Sequence, residues 1–151
     1  MTSPTSPPSK VRGSVPFTHR LRVRYVECDP QGVVSNVHYL TYFDVAMTEF
    51  HREAIGKYSQ LIDAGAEMVV ADARTRYHAP AAFDEELDVE VTLAQLGTTS
   101  LAVRFAVTRA EALLAEGELR YVFIDPATKT KRPIPEHVRL ALAPYLSDPG
   151  W

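Results

Sequence analysis

The sequence predicts an α+β domain in which a curved antiparallel sheet of about five strands wraps around one long helix, with a short helix near the end. Three observations carry this. Apolar and polar residues alternate with period two in one early segment and four later ones. A single segment between them repeats its apolar residues every three or four positions. The connections between the later segments are too short for crossover helices, so neighbouring strands should run antiparallel as a meander.

The first strand is expected over "THRLRVRYV", where Leu21, Val23 and Tyr25 face one way and Arg20, Arg22 and Arg24 the other. "DPQG" follows, with Asp29, Pro30 and Gly32 at the positions a type I turn favours. Val33 and Val34 continue the chain in extended form. Ser35 or Asn36 is placed to cap a helix of about five turns, whose apolar face carries Tyr39, Leu40, Phe43, Ala46, Met47, Phe50 and Ala54. Thr41, Asp44, Thr48 and Arg52 fall on its other side, and Gly56 is placed to end it.

"YSQLIDAG" reads as a short second helical piece. Four alternating segments then follow: "VVADARTRYHAP", "ELDVEVTL", "SLAVRFAVT" and "LLAEGELRYVFID". In the last of these, Gly117 suggests a bulge or a close backbone approach. "PEHVRLALAPYL" opens on a proline suited to a helix start and closes the domain. The boundaries expected are a disordered tail over 1–16, rich in Ser, Thr and Pro, and one domain over 17–147.

The bulk composition narrows the function. A formal net charge of -3 gives no polyanion-binding surface, so nucleic acid is a poor partner. No apolar run reaches the ~18 residues that a membrane span requires, and the N-terminus lacks an apolar signal region, so a cytoplasmic location is expected. Cys28 is the one cysteine and has no intrachain partner. His19, His51, His78 and His137 lack metal-ligand spacing, and neither a metal nor a cofactor is expected.

Chemistry concentrates in "ECDPQGVVSN". Asp29 precedes the start of the long helix, where unpaired N–H groups and a partial positive charge can polarise a carbonyl. A carboxylate beside such amides suits a general base or a nucleophile in acyl transfer. The same residues also suit a plain turn and helix cap, and local physics alone leaves both readings open.

The stretch "VRYVECDPQGVVSNVHYLTYFDVAMTEF" resembles the opening motif of hotdog-fold acyl-CoA thioesterases, in the branch of 4-hydroxybenzoyl-CoA thioesterase and the YbgC-like enzymes. "RYHAPAAFDEELDVEVTLAQLGTTSLAVRFAV" and "RPIPEHVRLAL" are similar to that family's later signatures. The resemblance implies a thioesterase acting on acyl-CoA or an acyl-carrier protein, assembled as a homodimer or a dimer of dimers (a homotetramer). It implies Asp29 as the catalytic carboxylate and the backbone amide of Asn36 as the group that binds the thioester carbonyl. Gly32 matches the family's turn glycine. Val34, Ser35, His38 and Thr99 are further candidates for substrate contact: His38 is otherwise a packing or hydrogen-bonding residue of the first helical turn, and Thr99 is otherwise a solvated turn hydroxyl, at a position that in relatives can approach the site from a partner subunit.

Many YbgC-like members carry an aromatic residue and a His where this chain has Ser35 and Asn36, so no catalytic role passes to His38 by position. Arg74, Arg76, Lys129, Lys131 and Arg132 are candidates for the coenzyme A phosphates, or an ordinary charged surface. Two other readings share the fold: hydroxyacyl dehydration, whose His/Asp motif is absent here, and a non-catalytic acyl-binding module.

Overall fold

The computed structural model describes residues 17–147, so the tail expected over 1–16 lies outside the described residues. Five strands form one antiparallel sheet: β1 (Phe17–Arg22), β2 (Glu67–Tyr77), β3 (Glu86–Leu96), β4 (Ser100–Arg109) and β5 (Ala112–Ile124). Three helices accompany them: α1 (His38–Ala54), α2 (Tyr58–Asp63) and α3 (Glu136–Leu142). The helix α1 lies against the sheet, and together they make the hotdog arrangement.

Strand order is β1-β3-β4-β5-β2, which corrects the expected four-strand meander. Only β3, β4 and β5 follow one another; β2 crosses to the far edge and pairs with β5, from Glu67 opposite Ile124 to Tyr77 opposite Ala115. The reason is visible in the loop 78–85. His78 and Ala79 both donate backbone hydrogen bonds to Leu114 O, which ends β2 on β5. Val23 N then bonds Glu85 O, and this fastens the loop's exit beside β1. The loop therefore carries the chain across the sheet instead of turning it back.

The first strand is also shorter than its alternation suggested. It ends at Arg22, and Tyr25–Glu27 form a single 3-10 turn, leaving Tyr25 79% exposed. The turn forms because Glu27 folds back: its Oε1 accepts from Arg24 N at 2.8 Å and its Oε2 from Arg24 Nε at 2.8 Å. A local side-chain partner here outcompetes the ladder.

The buried stripe of α1 is Tyr39, Tyr42, Phe43, Ala46, Met47, Phe50 and His51. It is rotated slightly from the expected face, so Leu40 is exposed while Tyr42 and His51 go inward. Gly56, with φ of +131°, ends the helix region as expected, its N–H bonding His51 O.

Phe43 fixes the height of this helix over the sheet. Its ring stacks on Phe105 of β4, with centroids 4.8 Å apart and planes 19° from parallel. Opposite Phe105 on β5 is Gly117, and a Cβ there would overlap the Phe43 ring and lie 3.1 Å from Arg74 O. The close backbone approach predicted for Gly117 is thus an approach to an aromatic ring. Overpacking of this kind costs about 1–3 kcal/mol. Gly117→Ala should lower stability by about that amount in urea denaturation, whereas Gly97→Ala, at an exposed turn, should cost less.

Candidate active site

The segment from Glu27 to Asn36 closes on itself as a tight loop. Asp29 N donates to Val33 O at 2.9 Å, Gly32 N to Asp29 O at 2.9 Å, and Ser35 N to Glu27 O at 3.0 Å. Cys28 bridges Val34 across the loop. The turn expected at "DPQG" is therefore present, and Gly32 adopts φ of +83°, which side chains disfavour. A neighbouring segment clamps the loop: Val34 N bonds Ala81 O at 2.9 Å, Val33 bridges Ala82, and Phe83 N reaches Gly32 O at 3.3 Å.

Asp29 is partly exposed and uses one carboxylate oxygen to hold the turn. Its Oδ1 accepts from Gln31 N at 2.9 Å and Val33 N at 3.4 Å. Its Oδ2 has no hydrogen-bond partner among the described residues. The carboxylate is thus oriented by backbone while keeping an oxygen open.

The helix start corrects the expected cap. The N-cap position is Val37, with no side-chain capping bond, and neither Ser35 nor Asn36 caps through its side chain. Instead Ser35 O and Asn36 O receive His38 N and Tyr39 N, extending the helix backwards as a turn. The result is that the unsatisfied donors move upstream. Among the described residues, the N–H groups of Asn36 and Val37 have no hydrogen-bond partner, and both residues are exposed. They stand at the positively polarised end of a 17-residue helix, as a carbonyl- or anion-binding element requires.

Sequence reading missed the side chains that hold these amides. Tyr77, at the end of β2, donates its hydroxyl to Asn36 O at 3.1 Å. That carbonyl belongs to the same peptide plane as the Val37 N–H, so the bond sets the direction of the free donor. Tyr77 packs edge-on against Tyr39 at 5.4 Å, and Tyr39 against Tyr42 at 5.8 Å. Tyr42 in turn donates to the buried Glu27 Oε1 at 2.8 Å. Its alternation within a strand made Tyr77 look like an ordinary sheet residue; the only available signal was an aromatic at a strand end.

Burial pushes the Glu27 carboxyl pKa up, but hydrogen bonds from Arg24 and Tyr42 outweigh it and leave the group below its ordinary range. The Tyr42 hydroxyl is pushed far up by burial and by Glu27. The Cys28 thiol is also raised, first by burial and then by the charges of Glu27 and Asp29, which suits a structural thiol and not a nucleophile.

The remaining expected positions divide. Val34 is 5% exposed and joins the core. His38 is half-buried in the first helical turn, and its ring makes no hydrogen bond to Asp29. Thr99 lies in the β3–β4 turn beside Ser100, which pairs with Val122, whereas Tyr77 pairs with Ala115. Within one chain these ends of β5 are about 23 Å apart. The fold gathers Asp29, Gly32, Ser35, Asn36 and His38, and it does not bring Thr99 to them.

Of the basic candidates, Arg132 is engaged by Gly65 O and Pro133 O, Lys129 lies 3.8 Å from Glu67, and Arg74 lies 3.9 Å from Glu118. Among the described residues no group of His, Cys, Asp and Glu could hold a metal ion, and no helix is long and apolar enough to cross a membrane.

Because Glu27 is held below its ordinary pKa, its bonds stabilise the fold above the unfolded value of about 4.3, and that stability is lost as pH falls through the folded value. Tyr42→Phe should raise the Glu27 pKa, read by carboxyl ¹³C NMR, and cost about 2 kcal/mol near neutral pH. The difference from the parent protein should shrink on acidification; a constant difference would place the Tyr42 effect in packing alone.

Comparison with known proteins identifies the family. The thioesterase-like superfamily matches residues 23–142. The acyl-CoA thioester hydrolase YbgC of Escherichia coli O6:H1 is 29% identical over 123 residues, covering 81% of this chain and 92% of that protein. A hypothetical protein of Thermus thermophilus has a similar crystal structure, at 33% identity and a TM-score of 0.78, over 83% of this chain and 95% of that one. The fold also matches a 1,4-dihydroxy-2-naphthoyl-CoA thioesterase from Synechocystis, with a TM-score of 0.77 and 23% identity, over 84% and 95% of the two chains. The chain belongs to the thioesterase-like superfamily.

Proposed function

We propose that this protein hydrolyses the thioester of an acyl-CoA or acyl-carrier protein at the loop Asp29–Val37. The observation that carries the reading is the pair of unpartnered amides, Asn36 and Val37, on a loop that also presents an open carboxylate oxygen of Asp29. A carbonyl oxygen bound to those amides becomes more electrophilic, and the donors strengthen as negative charge develops on it. Similarity to an acyl-CoA thioester hydrolase supports the substrate class.

Two routes use the same groups. As general base, Asp29 takes a proton from water while the hydroxide adds to the carbonyl carbon; the C–S bond then breaks and the thiolate leaves. As nucleophile, the Asp29 oxygen adds to that carbon, the thiolate leaves, and water opens the resulting mixed anhydride. Both regenerate the carboxylate, because the proton released from water passes to the departing thiolate and the products are the acid and the free thiol.

The site is completed in this reading by a second copy of the chain, within a dimer or a dimer of dimers. The edge strand β2 supports it: Val69, Val70 and Tyr77 are exposed on a strand with one unpaired side, an arrangement that proteins usually cover. A partner could bring its own Thr99 turn to the loop. Sedimentation at micromolar concentration should return a dimer or tetramer mass, and a fully active monomer would remove the role of Thr99.

Asp29→Asn keeps an oxygen for the turn's N–H groups and deletes the charge. It should leave the melting temperature nearly unchanged and lower kcat/KM on acyl-CoA by about 100-fold or more, read by thiol release. Normal turnover in a folded variant would remove Asp29 from the chemistry.

A further inference from the structure

Residues 81–83 are the part of the 78–85 loop that grips the Asp29 turn, through Ala81 O, the Ala82 bridge and Phe83 N. That grip on Gly32, Val33 and Val34 is only as firm as the loop itself. The loop's ends are tied to Leu114 O and to Val23. Among the described residues, no backbone hydrogen bond ties residues 80–83 to the sheet.

Two side chains do what the backbone does not. Arg109, the last residue of β4, directs Nη1 to Pro80 O at 3.1 Å and to Glu85 Oε1 at 2.8 Å. The same Glu85 oxygen accepts from Ala82 N at 2.8 Å. One guanidinium, anchored on the sheet, therefore braces residues 81–83 from the position before them and from a position after them. The Ala82 amide, and then Arg109, hold the Glu85 carboxyl below its ordinary pKa range, which keeps it charged at neutral pH. The two side chains are 37% and 33% exposed, and ion pairs this open add little to global stability. Their contacts instead converge on one loop.

We propose that Arg109 and Glu85 are positioning residues for the reaction at Asp29. Neither reaches the Asp29 carboxylate. They act through Ala81–Phe83, which fix the turn that carries the open Asp29 oxygen and leads to the Asn36 and Val37 amides. The inference rests on the hydrolysis reading of that loop. Misplacing a reacting group by about 1 Å can cost about 100-fold in rate, so a brace remote from the chemistry can govern turnover.

Glu85→Ala removes the acceptor shared by Ala82 N and Arg109, whereas Glu85→Gln keeps that oxygen and deletes only the charge. In Glu85→Ala, kcat on an acyl-CoA should fall about 10- to 100-fold with KM within about twofold of the parent value. Glu85→Gln should recover most of the loss. Arg109→Met removes the brace from the sheet side and should match Glu85→Ala. The double variant should be no slower than either, because the two side chains act as one unit. A lower melting temperature with kcat unchanged is the mark of a merely structural pair and would overturn the proposal.

Hydrogen exchange reads the brace without turnover. The Asp29 and Val34 amides, bonded to Val33 O and Ala81 O, should exchange about tenfold faster or more in Glu85→Ala, while Val103 in the central strand keeps its rate. Unchanged exchange at both loop amides would also overturn the proposal. A parent protein that releases no thiol from any acyl-CoA would sink the hydrolysis reading and this role with it. An active parent whose Glu85→Ala variant keeps its kcat would sink the positioning role alone.

Discussion

The contact on which the rest depends is the Phe43 ring lying over Gly117 and stacked on Phe105. A helix and a sheet each have one apolar face, and burying both leaves the helix free to slide or lift unless something indexes it. Here the index is a missing side chain. With glycine at 117 the ring reaches the sheet backbone, and the height of α1 is set by aromatic thickness. The free amides at the head of the helix are then held relative to the sheet, and to the loop 78–85 that clamps Asp29's turn.

A second set of contacts orients what the first one places. Glu27, Tyr42, Tyr39 and Tyr77 form a continuous run from a buried carboxylate to the carbonyl of Asn36. Each member constrains the next by hydrogen bond or ring packing. The outcome is a fixed peptide plane whose N–H has no internal partner. Preorganised donors of this kind need little rearrangement when charge develops on a bound oxygen, which is where electrostatic catalysis gains most.

The elements were legible in the sequence because their periodicities are strong. The alternation in "ELDVEVTL" and "SLAVRFAVT" forms as its pattern demands, and so does the long helix, although its buried stripe leaves Leu40 outside and takes in Tyr42. Strand order was not legible, because alternation says which face is buried and nothing about which neighbour is paired. The end of β1 was misjudged because Glu27 bonds Arg24 locally, a choice invisible to hydrophobic period. At the proposed site, Asp29, Gly32 and Asn36 could be singled out as candidates from the turn chemistry and the family motif together. Tyr77 could not, since its role depends on the crossover that brings the end of β2 beside the helix start. His51 was weighed only as a metal ligand, and its burial follows from the slight rotation of the helix face.

The most direct measurement is a ¹H–¹⁵N spectrum of the protein with a non-hydrolysable thioether or ketone analogue of an acyl-CoA. The account predicts that a ketone analogue moves the amide protons of Asn36 and Val37 downfield, and that the thioether, which lacks the carbonyl, leaves them nearly in place. Saturable binding of the ketone with both amides unmoved would contradict it.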